Sequence, residues 1–305
     1  MQTATTATHP AGYAGVEPTK PPDWHGLVVW DVFFNALTTG LFMVAAVGEL
    51  AAPAVFAPVA VWAYPLALVF LLIDLLLLVL DLGDPLRFHH MLRVFEPSSP
   101  MSLGTWCLTA YSLPLTAVVA LDLGGLVGLL PGDAAALGWA RVVLLVVGLP
   151  FAFGSAAYKG VLFSTTAQPG WRDARWLGAY HTGGAFVFGC AALFALAALT
   201  GHDRAAGLLR PALAALVVLN LIPLVLLAGE LRPALARRHS ARALRRDAAL
   251  VAAGALIPLA AVAAGVGSIP ATLAAGFVLL GGWVARDRIV LLPQPRHRIP
   301  HGQPG

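Results

Sequence analysis

Apolar side chains fill long uninterrupted stretches of this chain, and polar ones collect in the short segments between them. Eight such stretches stand out, at residues 27–51, 57–80, 103–130, 138–157, 179–200, 208–229, 247–266 and 270–286. A helix needs roughly 20 apolar residues to cross the hydrocarbon core of a bilayer. The pattern therefore predicts an all-α membrane protein with about eight transmembrane helices. The second and fifth stretches are nearly free of polar residues, whereas the eighth is short and glycine-rich.

Composition points the same way. Of the 305 residues, 59% are hydrophobic and only 11% are charged, with a mean hydropathy of +0.80, too little polar surface for a water-soluble globule. The N-terminal tail, residues 1–25, lacks the basic, short-apolar, small-residue pattern of a signal peptide, so no cleavage is expected. Cys107 and Cys190 sit alone in apolar stretches. Two isolated thiols cannot hold an iron–sulfur cluster, and a haem of the cytochrome b kind would need paired histidines where only His181 approaches a span. Any redox metal is thus expected on a partner.

With eight spans, both termini and the even-numbered connections share one face, which carries sixteen of the 19 lysines and arginines. Basic residues accumulate on the cytoplasmic side, so both termini are expected in the cytoplasm, in a multi-pass protein of the cell (plasma) membrane. The net charge of +4 follows from that asymmetry and calls for no nucleic acid. The basic stretch "LRPALARRHSARALRR" at 231–246 reads as a topology signal in contact with lipid head groups.

The most polar internal segment is "DLGDPLRFHHMLRVFEPSSPMSLGTW", Asp81 to Trp106. Gly83 and Pro85 end the second helix. Phe88, Met91, Leu92 and Phe95 then recur at helical spacing with Arg87, His90 and Arg93 on the other side, which predicts a short amphipathic helix over 86–95 at the membrane interface. "EPSSPMS" turns the chain back, with Ser102 expected to cap the third helix. His89 and His90 are neighbours, about 100° apart on a helix, and are assigned to the surface rather than to a metal.

That segment resembles the signature of the NrfD/PsrC family, the membrane subunits of polysulfide reductase-like oxidoreductase complexes. Two further segments agree in order and spacing: "KPPDWHGLVVWDVFFNALTTGL" from Lys20 to Leu41, and "AYKGVLFSTTAQPGWRDAR" from Ala157 to Arg175. The resemblance covers roughly residues 13–180 and rests beyond them on helix count. It implies two four-helix bundles: residues 26–178, including an amphipathic loop at 81–103, and residues 179–286, followed by a C-terminal tail at 287–305. It also implies a quinone or quinol site near one face, no haem or cluster of the chain's own, and a bound four-cluster ferredoxin-like iron–sulfur subunit. That subunit would exchange electrons with a catalytic subunit, commonly of the molybdopterin type. Arg87, His89, His90 and Arg93 would supply the docking face for it. Relatives place that face outside the cytoplasm, whereas the distribution of basic residues here argues for the inside.

A quinone pocket needs an apolar cleft, donors to the carbonyl oxygens and a protonatable neighbour. Asp31 takes the position of the family's acid on the first helix, and Tyr158, at the end of the fourth, that of a tyrosine the family uses in quinone contact. Asn35 lies one turn beyond Asp31. The plainer roles are an interfacial anchor for Tyr158 and a dipole-stabilised helix-start charge for Asp31. Ionisable groups within spans are costly and suggest function, which makes Glu49, Asp74, Asp81, His181 and Glu230 candidates for a proton path, local delivery being favoured over pumping. The sequence departs from the family pattern at Asp84, where Arg or Lys is usual, at Lys159, where Thr is usual, and at Thr39, which replaces a glycine. The expected function is a quinone-reactive subunit linking the membrane quinone pool to its iron–sulfur partner, with no activity for the isolated chain. The alternatives are an ion or small-solute transporter, for which no internal inverted repeat is evident, and an anchor without a quinone site.

Overall fold

The apolar stretches fold as helices, and local chemistry sets their ends. The computed structural model describes residues 26–129, 135–166, 168, 170–172, 174–265 and 267–293, all helix and connection without a strand. The predicted tail at 1–25 and residues 294–305 of the C-terminal tail lie outside the described residues. The α-helices are α1 (Gly26–Ala51), α2 (Pro53–Leu80), α3 (Pro100–Leu126), α4 (Ala135–Ser164), α5 (Leu177–Leu199), α6 (Asp203–Arg238), α7 (Ala241–Ala263) and α8 (Ser268–Val290). Seven of them, α1 to α7, are long and apolar enough to cross a membrane. The chain is a multi-pass membrane protein.

Proline opens α2 and α3 at Pro53 and Pro100, where its missing N–H costs nothing. Ser99 caps α3 by accepting from the Ser102 amide at 3.3 Å. This corrects the expected cap: Ser102 Oγ instead accepts the Glu96 amide at 3.0 Å and so pins the loop ahead of the helix. Ser240 caps α7 in the same way as Ser99. After α5, Gly201 adopts φ +75° and lets the His202 amide reach back to the Ala197 carbonyl at 2.8 Å, the closing bond of a Schellman turn.

Three elements differ from the hydropathy pattern. The interfacial helix is a 3₁₀ helix at Pro85–Leu92 with no buried residue, tighter and earlier than the expected α-helical turns. α4 continues to Ser164, so Tyr158 and Lys159 lie inside the helix rather than at its end. α6 runs on through its basic segment to Arg238, carrying Pro211, Pro223 and Pro233 within it. Polar side chains at the ends of a span do not stop a helix whose backbone bonds must in any case close internally.

α1 is the most enclosed helix and packs against α2, α4, α5 and α8. Its crossing with α5 is backbone to backbone. A Cβ on Gly40 would lie 1.9 Å from the Ala185 carbonyl oxygen, and one on Gly189 would lie 2.0 Å from the Gly40 backbone. Helices in lipid gain from such approaches because van der Waals contact replaces the missing hydrophobic drive. Thr39 therefore does not cost the chain its close packing: that falls to Gly40, while the Thr39 hydroxyl bonds its own helix at the Asn35 carbonyl, 2.6 Å away. On the other side of α1, Thr38 Oγ1 donates to the Ala67 carbonyl of α2 at 2.7 Å and lies 2.8 Å from the Tyr111 phenol of α3.

Gly40→Val should destabilise the fold by about 1–3 kcal/mol or more, the range for overpacking a tight contact. Gly207→Ala, where an added Cβ meets nothing within 4 Å, should not. Thermal melting of the detergent-purified protein checks both, and equal melting temperatures for the two variants would count against the crossing.

Candidate functional site

Three helices bring ionisable groups to one point near the start of α1. Asp31 and Asn35 stand one turn apart on α1, Ser155 and Lys159 one turn apart on α4, and Asp74 projects from α2; residues four apart share a helix face. Lys159 Nζ lies 2.7 Å from Asp31 Oδ1 and 3.3 Å from Asp74 Oδ1. Asn35 Nδ2 donates to Asp74 Oδ2 and to Ser155 Oγ, each at 3.1 Å. All five side chains are buried, Asp74 and Ser155 completely. Moving a charge out of water costs several kcal/mol, and such a group persists only when paired and hydrogen-bonded. Here each member supplies what its neighbours need.

Asp31 and Lys159, which form a triad with Asp74, face a cleft of about 50 Å³ between α1, α2, α3 and α4, walled by Val28, Val32, Leu78, Met101, Leu162 and Phe163. Asp31, Asp81, Tyr158 and Lys159 are its polar lining. Tyr158 is 8% exposed and its ring fits against α3 only because residue 104 is glycine: a Cβ there would lie 2.0 Å from the ring. The Lys159 ammonium sits 5.7 Å from the centroid of that ring. The cleft thus offers an apolar slot, a phenol, an ammonium and two carboxylates within one small volume.

Of the residues expected at a quinone site, Asp31 and Tyr158 line the cleft, while Asn35 stands behind its wall and holds Asp74. Among the proton-path candidates, Asp74 joins the triad and Asp81, at the end of α2, lines the cleft. Glu49 lies 18 residues beyond Asp31 on α1, about 27 Å along the helix, in a separate cluster. There its carboxylate pairs with Arg141, which also pairs with Asp122, and accepts from the Tyr64 phenol at 2.8 Å. His181 is buried near the first turn of α5, its ring 5.9 Å from that of Phe163, and its Nε2 has no partner. Glu230 reaches the Trp176 amide ahead of α5 at 3.4 Å rather than the cleft.

The proposed docking residues Arg87, His89, His90 and Arg93 are all exposed on the loop after α2. Arg87 pairs with Asp84 at 3.0 Å, and the Ser98 hydroxyl and amide hold the Glu96 carboxyl below its usual range. His89 and His90 stack edge to face at 4.4 Å. Among the described residues no group of three or more His, Cys, Asp or Glu is placed to hold a metal ion.

Sequence reasoning missed the central residue. Lys159 was counted with the basic residues of a connecting loop, because the apolar stretch ends at residue 157; the structure buries it as the shared partner of two carboxylates. The signal was present in the charge balance: two acids inside apolar stretches need a cation, and a lysine one turn from a serine inside helical spacing offers one. Arg141 and Arg286, counted with the charges of the two membrane faces, are likewise drawn inward, Arg141 part-buried in α4 and Arg286 fully buried in α8.

A family model described as polysulfide reductase, of the NrfD type, matches residues 13–299, nearly the whole chain. Among curated proteins none matches.

Removing the shared cation leaves two buried carboxylates facing each other. Lys159→Met should cost about 3–5 kcal/mol, the range for breaking a buried ion pair on one side. Adding Asp31→Asn and Asp74→Asn to it should restore most of that loss. Denaturation of the purified variants in detergent measures both steps, and a triple variant no more stable than Lys159→Met would contradict the pairing.

Proposed function

The chain belongs to the NrfD-type polysulfide reductase family, and on that premise we propose that it is the quinone-reactive membrane subunit of an oxidoreductase complex. The observation that carries this reading is the Lys159 triad at the floor of an apolar cleft beside Tyr158. Reduction of a quinone takes up two electrons and two protons, so the site must accept a flat apolar ring, donate to its oxygens and resupply protons. The cleft walls suit the ring. The Lys159 ammonium and the Tyr158 phenol are the donors within reach of a carbonyl oxygen placed there. Two carboxylates face one ammonium, so with one carboxyl protonated the three groups sum to zero charge. The triad can therefore hold a proton for the bound ring and pass it on. Asp81 at the mouth of the cleft is suited to renew it, and Asn35 keeps Asp74 oriented.

The electrons come from outside the chain. An iron–sulfur subunit of the four-cluster ferredoxin-like kind, docked on the exposed loop carrying Arg87, His89, His90 and Arg93, would pass them to or from a catalytic subunit of the molybdopterin type. The exposed apolar side chains of the same loop, Leu86, Phe88 and Phe95, suit it either to such a contact or to the membrane interface. In this reading α8 completes eight spans and the helices divide into two bundles, α1 to α4 and α5 to α8. Both termini and the docking loop face the cytoplasm of a cell-membrane protein. Setting aside the buried Lys159 and Arg286 and the part-buried Arg141 leaves the excess of basic residues on that face.

Tyr158→Phe and Asp31→Asn test the reading. In the purified complex each should lower quinone-linked turnover by about 10²-fold or more, the usual contribution of a positioned proton donor. Reduction of a soluble dye by the catalytic subunit should stay unchanged. Quinone-linked turnover at the wild-type rate in both variants would refute the assignment.

A further inference from the structure

Several buried and part-buried cations of this protein have carboxylate partners. Lys159 has Asp31 and Asp74; Arg141 has Glu49 and Asp122; Arg288 has Asp247 at 2.7 Å and Asp287 at 3.2 Å. Arg286, on α8, is the most buried of all at 0% exposure and faces no carboxylate. Its Nη1 donates to the Gly282 carbonyl of its own helix at 3.2 Å, and its guanidinium carbon lies 4.2 Å from the centre of the Phe188 ring and 5.7 Å from that of Tyr180. Nε and Nη2 have no partner. Those two nitrogens form one edge of the guanidinium, the fork that grips both oxygens of a carboxylate. An aromatic face tempers a buried cation by less than desolvation costs it.

Arg286 lines a cavity of about 50 Å³ between α5, α6, α7 and α8, together with Tyr180, Gly184 and Asn220. The Asn220 side chain is also unsatisfied there, at Oδ1, and an amide can turn its NH₂ towards an acceptor. Leu221, Leu224 and Val251 line both it and an adjoining, almost wholly apolar groove of about 330 Å³ between α6, α7 and α8.

We propose that the second half of the protein binds a single-chain carboxylic acid, its carboxylate on the free edge of Arg286 and beside Asn220, its hydrocarbon chain in the groove between α6 and α7. The charge balance favours this occupant: one carboxylate neutralises one guanidinium, and a single chain fills the single groove, whereas a diacyl phospholipid needs room for two. The site is separate from the Lys159 cleft and stands whether or not that cleft takes a quinone.

Oleate binding to the full-length protein in phosphatidylcholine nanodiscs tests the proposal. The wild-type protein should take up one labelled oleate per chain. Arg286→Gln should weaken that binding by about tenfold or more, as expected for loss of a charge-assisted bond. Ala252→Trp, which fills the groove and leaves the guanidinium in place, should weaken it as well and keeps the test open should Arg286→Gln fail to fold. Equal affinity in either folded variant would overturn the proposal. So would competition by methyl oleate as strong as by oleate, displacement by an equal amount of phosphatidylglycerol, or displacement by acetate or chloride alone.

Discussion

A lysine buried in the apolar interior cannot stand alone, and much of this structure follows from how Lys159 is satisfied. Its ammonium draws a carboxylate from α1 and another from α2 to α4, and Asn35 bonds both Asp74 and Ser155 beside it. In water such an ion cluster contributes little; away from water its members are held by what separating them would cost. The triad therefore fixes three helices at one end of the bundle. It also leaves polar groups facing an apolar cleft, the combination the proposed quinone chemistry requires.

The opposite end of α1 repeats the device with other residues. Glu49, Arg141, Asp122 and Tyr64 join α1, α4, α3 and α2 there, so that α1 is fastened at both ends to its neighbours. Between these fastenings its other side is bare backbone at Gly40, which lets α5 approach to contact. One helix thus carries the polar fastenings of the first half of the protein on one side and its junction to the second half on the other. Arg286 is the departure from this economy, a cation of the second half with no acid to balance it.

Helix positions were legible because a span must be apolar along its whole length, and each of the eight apolar stretches did become a helix. Their ends were less so. Hydropathy stops at a charge, whereas the helix continues past it, either because a partner elsewhere neutralises the charge, as with α4 at Lys159, or because the charge stays exposed, as with α6 through Arg232. Asp31, Asp74 and Tyr158 could each be singled out as a polar residue out of place. The convergence of the two acids on Lys159 could not, because each lies 85 or more positions from it in sequence and meets it through packing that no local pattern encodes. Ser99 rather than Ser102 capping α3 is a smaller instance: Pro100 begins the helix at the first position proline tolerates, and the cap must precede it.

The account's central claim is that a quinone ring sits in the cleft over Lys159. Photolabelling of the purified complex with an azido-quinone, followed by peptide mapping, addresses it directly. The account predicts label on the α1 and α4 peptides that carry Val32 and Leu162, suppressed by excess unlabelled quinone. Competable label confined to α6, α7 and α8, with none on α1 or α4, would contradict it.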